Sequence, residues 1–351
     1  MAIPSVFTDQ HRLHVPDGEI WVGVRIAGTE LPARGDAIHA ALLAAGHPVL
    51  APDPIADADL LAVHSSDLVD FLRSAWDRWQ SSGYPQDPGQ DRVVPYAFPL
   101  AALTSGRAPR LPASIGALTG MFAMDTMTLI GAGTWEAARA AAACALTAAR
   151  LVVGGESAIY AAVRPPGHHA GSSFYGGSCY LNNAALAAHH LVRAGMAPVV
   201  VLDIDAHHGN GTQEIFYRTS EVRYGSVHVD PGAGYFPHWL GFSDEKGEGE
   251  GAGANLNLAL EPGSGDEGWL EAVRTLAAFG RGAAAMVVSL GVDAWRDDPE
   301  SPLLVSIDGY RRAGVMLGGM GLPTVIVQEG GYDLASLGLL VTRFLEGFSA
   351  S

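Results

Sequence analysis

Short apolar or β-branched runs, each followed by a polar loop and then an Ala- or Leu-rich stretch, recur along the chain after residue 130. That rhythm is the signature of a parallel sheet covered on both faces. The clearest runs, Ala158–Val163, Pro198–Leu202, Ala285–Leu290 and Thr324–Val327, predict strands. Between them the periodicity predicts helices over Thr134–Val152, Asn182–Ala194, Gly268–Phe279 and Ile307–Leu317, the first opened by Thr134 as N-cap. The expected fold is α/β, a mostly parallel multi-stranded sheet with helices on both faces. Ligands of such sheets bind outside the carboxyl ends of the strands. Four polar segments fall there: Arg164–His169, Asp203–Asn210, Asp293–Glu300 and Glu329–Tyr332.

The segment Ser81–Arg110 breaks this rhythm. It is rich in Pro, Gly, Gln and Asp and has no periodicity, so it reads as a long surface excursion, either a flexible loop or an oligomer contact. No repeat or shift in composition marks a second domain, and residues 1–351 are read as one.

Composition narrows the partners. Hydrophobic residues make up 48% of the 351 and charged residues 17%, enough for a substantial core. With 37 acidic against 21 basic side chains, the net charge of -16 disfavours nucleic acid and anionic membrane and favours cationic small molecules or basic peptides, although acidity also simply aids solubility. Two isolated cysteines, Cys144 and Cys179, make neither a disulfide framework nor a thiolate cluster and suit a reducing compartment. Asp9, His11, Arg12 and His14 stand where a signal peptide would carry apolar residues, and Arg139 and Arg150 interrupt the Ala-rich stretch. A cytoplasmic protein with no membrane span is expected.

In VVVLDIDAHHGNG, a strand period of two would put Asp203, Asp205 and His207 on one face. Burying two carboxylates together costs several kcal/mol unless a cation compensates, so the pattern calls for a metal or a solvated pocket. Asp293, after a buried run, offers a third ligand. Asp205, His207 and Asp293 would form an N/O site with one open position, as in catalytic zinc; Fe2+ or Co2+ suits the same donors. The tandem His168 and His169, on a loop stiffened by Pro165 and Pro166, offer a general base. Asp203 and Asn210 are placed to bond their outer nitrogens, the carboxylate keeping one imidazole charged and the amide leaving the other closer to neutral. Tyr332, after two glycines, would assist at a carbonyl oxygen.

These residues together resemble the zinc-dependent deacetylases of the arginase–deacetylase superfamily, which include class II histone deacetylases and acetylpolyamine amidohydrolases. RPPGHHA at Arg164–Ala170, CYLNNAALAA at Cys179–Ala188, DIDAHHGNGTQ at Asp203–Gln213, SLGVDAWRDDP at Ser289–Pro299 and EGGYDL at Glu329–Leu334 match in order, across roughly Ile130 to Phe348. The resemblance implies a zinc-activated water attacking an acetyl carbonyl, His169 as general base and then acid, His168 paired with Asp203 as electrostatic support, and Tyr332 on the oxyanion. It implies K+ at Asp203, Asp205, His207, Ser226 and Val227, and a second K+ near Phe216, Thr219 and Val222. It also implies substrate contacts at Gly177, Phe236 and Glu300.

The segment His228–Phe242 looks more like the acetylpolyamine branch. Glu300, seven residues after Asp293, falls where a polyamine-selective relative carries a gatekeeper glutamate, which would attract a remote ammonium; a solvated loop glutamate is the plainer reading. Ser178 departs from the family, whose members carry an aromatic facing Phe236, and should widen the tunnel. The expected function is thus hydrolysis of a small cationic acetylated amine, with a homodimer suggested by the same resemblance. Deacetylation of acetyl-lysine peptides is the main alternative. A catalytically inactive ligand-binding protein is disfavoured by the complete set of ligands, histidines and tyrosine. Related manganese ureohydrolases need further acids, and here His208, Gly209 and Asn210 follow the Asp205–His207 element instead.

Overall fold

The computed structural model of the chain describes residues 2–86 and 90–350. Its strands are β1 (Ser5–Val6), β2 (Glu19–Trp21), β3 (Val24–Ile26), β4 (Val49–Leu50), β5 (Ala158–Ala161), β6 (Val199–Asp203), β7 (Val222–Val229), β8 (Asn255–Leu260), β9 (Ala285–Leu290) and β10 (Thr324–Gln328). The α-helices are α1 (Pro32–Ala44), α2 (Asp57–Leu61), α3 (Ser66–Ser81), α4 (Ile115–Phe122), α5 (Thr134–Val153), α6 (Asn183–Arg193), α7 (Asn210–Phe216), α8 (Asp266–Phe279), α9 (Ile307–Gly318) and α10 (Leu337–Ser349).

Eight strands form one sheet in the order β4-β1-β5-β10-β9-β6-β7-β8, with every pairing parallel, while β2 and β3 form a separate antiparallel hairpin. The two faces follow from the pleat. Val200 and Leu202 of β6 point into a core shared with Leu42 of α1, Trp269 of α8, Tyr310 of α9 and Phe344 of α10. Val199 and Val201 point the other way, onto the small residues of α5 and α6. Each fully buried Val or Leu contributes roughly 1.5–3 kcal/mol, which makes this double cover the main source of stability. A third cluster, built on Leu68, Phe71 and Trp79 of α3 and Phe122 of α4, packs beside α5.

All four expected strands and all four expected helices form, with ends within about two residues of the periodicity. Two details differ. Gly133, at φ 75°, caps α5, and Thr134 is its first helical residue. The Thr134 hydroxyl instead accepts the Gly131 N–H and pairs with His14 Nδ1. Second, β6 ends at Asp203, so Asp205 and His207 lie in the loop beyond it and do not share a strand face with Asp203.

The excursion expected over 81–110 begins at the last residue of α3 and continues in turns, touching the rest through the Val93–Ile130 bridge; part of it, 87–89, lies outside the described residues. Its outer residues Tyr96, Leu100 and Leu103 are exposed. Among the described residues, no helix is long and apolar enough to cross a membrane.

Candidate metal centre and active site

The four site-bearing loops follow β5, β10, β9 and β6, which are neighbours at the middle of the sheet. Because these strands are parallel, their carboxyl ends meet at one edge. The loop after β6 supplies Asp205 and His207, and the loop after β9 supplies Asp293. Ligand atoms of the three lie within 4.8 Å of one another. His207 Nδ1 stands 3.1 Å from Asp293 Oδ2 and 3.3 Å from Asp205 Oδ1. Backbone donors hold the carboxylates: Gly330 N–H and His207 N–H on Asp205, and Ala206 N–H on Asp293. A Cβ at Gly330 would lie 2.3 Å from Asp293 Oδ2, so only glycine lets this backbone approach.

The electrostatics fit a dication. Burial and the neighbouring Asp205 push the Asp293 carboxyl up to about 7. Burial also opposes charge on Asp205, but His168 and His207 hold it below the usual carboxylate range. At His207, burial disfavours the cation, and the hydrogen bonds to Asp205 and Asp293 more than reverse this. Two buried carboxylates around one imidazole, one of them unable to ionise easily, form a site short of positive charge. Asp205, His207 and Asp293 would hold a divalent metal, which would supply it.

The tandem histidines after β5 are separated in charge by their partners. His168 Nδ1 lies 3.0 Å from Asp203 Oδ2, and its Nε2 faces Asp205 Oδ2 at 3.8 Å. Burial disfavours charge here too, yet Asp205 and Asp203 raise its pKa to about 10, so it is a cation at neutral pH. His169 Nδ1 donates to Asn210 Oδ1 at 2.8 Å, which leaves Nε2 as the acceptor. Burial, with His168 and His207 nearby, drives its pKa well down. The loop is held by Glu329, whose Oε2 accepts the N–H groups of Gly167 and His168, and by α7, whose first N–H groups reach the His168 carbonyl.

Above these groups opens a cavity of about 450 Å³ lined by His169, His207, Gly177, Ser178, Phe236, Glu300 and Tyr332. The Phe236 ring stands edge-on to His169, centres 4.8 Å apart. Gly177, at φ 55°, lies so close to the His169 ring that a Cβ would meet Cδ2 at 2.4 Å. Burial keeps the Tyr332 phenol well above its ordinary pKa, against the pull of Arg34, so it stays a donor. Sequence reasoning missed the outer wall: Glu19, Trp21 and Ile26 of the hairpin, with Ala27, Thr29 and Met127. Burial and the neighbouring Glu300 push the Glu19 carboxyl up to about 7, and Thr29 Oγ1 donates to Glu300. No metal or loop motif marked these residues, which all precede the first of the motif-bearing loops at Arg164.

Of the residues expected at the K+ sites, Asp203 and Ser226 are register partners on β6 and β7, with Val227 next along β7; the Ser226 hydroxyl bonds His228 Nδ1. Phe216, Thr219 and Val222 line a separate cavity together with Glu214 and Ile215 of α7.

Residues 29–348 match the histone deacetylase domain family. The chain is 39% identical to acetylpolyamine amidohydrolase 1 of Pseudomonas aeruginosa over 350 residues, covering 99% of each chain. It is 41% identical to the acetylpolyamine amidohydrolase of Burkholderia pseudomallei over 350 residues, covering 99% of this chain and 98% of that one. A crystal structure of acetylpolyamine aminohydrolase from Burkholderia pseudomallei, from an iodide soak, superposes with a TM-score of 0.94 at 39% identity, covering 99% of both chains. With Asp205, His207 and Asp293 clustered beside paired histidines at the carboxyl edge of the same fold, the chain belongs to the histone deacetylase domain family.

Proposed function

We propose that this protein is a zinc-dependent amidohydrolase that removes acetyl groups from acetylated polyamines or related small cationic amides. The observation that carries it is the tandem histidines beside Asp205, His207 and Asp293, His168 on the carboxylate of Asp203 and His169 on the amide of Asn210, at the base of a cavity whose mouth bears two carboxyl groups. Its full-length acetylpolyamine amidohydrolase relatives support the same reading. A dication on those three residues supplies Lewis acidity, polarising the amide oxygen and acidifying water. Two carboxylate donors make it a milder acid than three histidines would, and Fe2+ or Co2+ fits the same set.

The chain's own groups do the rest. His169 Nε2 removes a proton from the water that attacks the acetyl carbon and passes it to the departing nitrogen, so that the C–N bond breaks to acetic acid and free amine. Cationic His168 stabilises the negative charge that develops. The Tyr332 phenol donates to the oxygen of the former carbonyl. Phe236 flanks the alkyl chain, and Glu300 with Glu19 draws the remote ammonium. K+ would sit against the backbone of Asp203, Asp205, His207 and Val227 and the hydroxyl of Ser226, with a second ion near Phe216, Thr219 and Val222.

The N-terminal hairpin and α1 help to build the site, so the chain acts as one deacetylase unit. Exposed Tyr96, Leu100 and Leu103, with Trp21, Val22 and Val24 of the hairpin region, suit a homodimer contact at the mouth. Two buried free cysteines suit the cytoplasm.

The test is a panel of acetylputrescine, acetylcadaverine and acetylspermidine against an acetyl-lysine peptide. The polyamines should be deacetylated faster, with Glu300→Leu narrowing the gap and with Tyr332→Phe and His169→Ala each lowering kcat by at least about 100-fold. Equal rates on both classes, unmoved by Glu300→Leu, would transfer the assignment to a peptide deacetylase. Undiminished binding with no turnover would leave an inactive sensor.

A further inference from the structure

Asp298 is a buried carboxylate that is neither one of the three clustered donors nor among the residues lining the cavity, yet it binds the two loops that complete the site. It follows the ligand Asp293 by five residues and is 7% exposed. Its Oδ2 accepts the backbone N–H of Tyr332 at 2.7 Å and that of Asp333 at 3.2 Å. Its Oδ1 accepts the backbone N–H of Glu300 at 3.0 Å. Its own N–H is tied to the Trp295 carbonyl at 3.0 Å, which fixes the loop from which the carboxylate projects.

Tyr332 is held on its other side by a cation. Arg34 donates to the carbonyls of Gly331 (2.6 Å) and Glu329 (2.7 Å), and its guanidinium carbon lies 4.6 Å from the centre of the phenol ring. The peptide that joins Gly331 to Tyr332 is therefore gripped at its oxygen by Arg34 and at its N–H by Asp298. Gly330 and Gly331 precede the phenol, so the backbone has little stiffness of its own there, and these two contacts determine where the hydroxyl lies.

The residue type matters. Three N–H donors converge on one side chain, and an ionised carboxylate accepts all of them with two oxygens. The isosteric amide has one oxygen and would turn an NH2 group toward an N–H. At least one buried donor would then lose its partner.

We infer that Asp298 is a positioning residue that sets the Tyr332 phenol and the Glu300 backbone relative to each other, linking oxyanion stabilisation to recognition of the remote ammonium. The inference rests on the deacetylase reading above for its kinetic consequences but not for its structural one. Misplacing a positioned group by about 1 Å can cost about 100-fold in rate. Asp298→Asn should accordingly lower kcat on acetylcadaverine by about tenfold or more and also raise KM.

Double-mutant cycles separate positioning from general damage. In the Tyr332→Phe background, Asp298→Asn should lower kcat no further. In the Glu300→Leu background, it should leave KM unchanged. Equal loss in wild type and Tyr332→Phe, or an unchanged kcat, would overturn the inference. A second readout does not depend on turnover: with 3-fluorotyrosine incorporated, the 19F resonance assigned by its absence in Tyr332→Phe should shift or broaden in Asp298→Asn. An unmoved resonance overturns the inference even if the wild-type chain hydrolyses nothing, whereas a shifted resonance with no wild-type turnover sinks only the deacetylase reading. If Asp298→Asn melts below the assay temperature, Asp298→Ser, which keeps an acceptor and adds no NH2, is read by the same two outcomes.

Discussion

A single imidazole outside the Asp205, His207 and Asp293 cluster shows how tightly side-chain chemistry is specified here. His64 is buried, and its Nε2 accepts the N–H of Asn182 at 2.9 Å, so its Nδ1 must carry the proton that meets the Gly171 carbonyl at 3.0 Å. Only the neutral ring satisfies both contacts. Burial lowers its pKa from 6.5 to about 4, although Gly171 pulls the other way. The unfolded chain then binds more protons than the folded one between those values, so the contribution of His64 is complete above pH 6.5 and is lost as pH falls toward 4. The stability difference between wild type and His64→Gln should therefore shrink by about 1–2 kcal/mol between pH 7.5 and pH 5 in urea unfolding. A pH-independent difference would show that the ring is not held neutral.

At the scale of elements, the site depends on helix ends packed against strand ends. Asn182 caps α6 by accepting the Ala185 N–H at 2.9 Å, and its amide nitrogen donates to the Ala170 carbonyl and to Thr212 of α7. One buried side chain thus joins two helices to the end of the tandem-histidine loop. Asn182→Ala removes the cap and leaves a buried carbonyl without its donor. It should cost about 2–4 kcal/mol in urea unfolding, where a simple exposed cap costs about 1. The strand that carries Asp203 shows the limit of periodicity at this scale: β6 stops at Asp203, and the next residues turn so that Asp203 meets His168 while Asp205 meets His207 and Gly330.

Over the whole molecule, buried carboxyl groups gather around the site and its mouth. Asp293, Glu329 and Glu19 are each pushed up to about 7, mainly by burial. A dication that binds only the folded chain stabilises it by mass action. Chelation should lower the melting temperature and readdition of Zn2+ should restore it, measured by calorimetry at fixed protein concentration. At ligand a hundredfold above Kd the stabilisation would be about 2.7 kcal/mol. A melting temperature indifferent to chelator, with metal loss verified by elemental analysis, would remove the metal from its place at Asp205, His207 and Asp293.

The strands Ala158–Ala161, Val199–Asp203, Ala285–Leu290 and Thr324–Gln328 were legible because burial on both faces leaves unbroken apolar runs, and the ionisable groups just after them had no structural excuse. The local sequence thus determined the fold class and which loops bring Asp205, His207, Asp293 and the paired histidines to one edge. Other strands were hidden for physical reasons. β7 carries Arg223, Ser226 and His228 within its run, the last two satisfied by each other, and β1 and β4 are two residues long. The hairpin at 19–26 exposes Trp21, Val22 and Val24, so no core periodicity betrays it. What only the tertiary structure decided is the mouth of the site and its bracing. Glu19 meets Glu300, Arg34 meets Tyr332, and Asp298 meets backbone N–H groups more than 30 residues away. Such contacts depend on how distant loops pack, and no spacing along the chain encodes them.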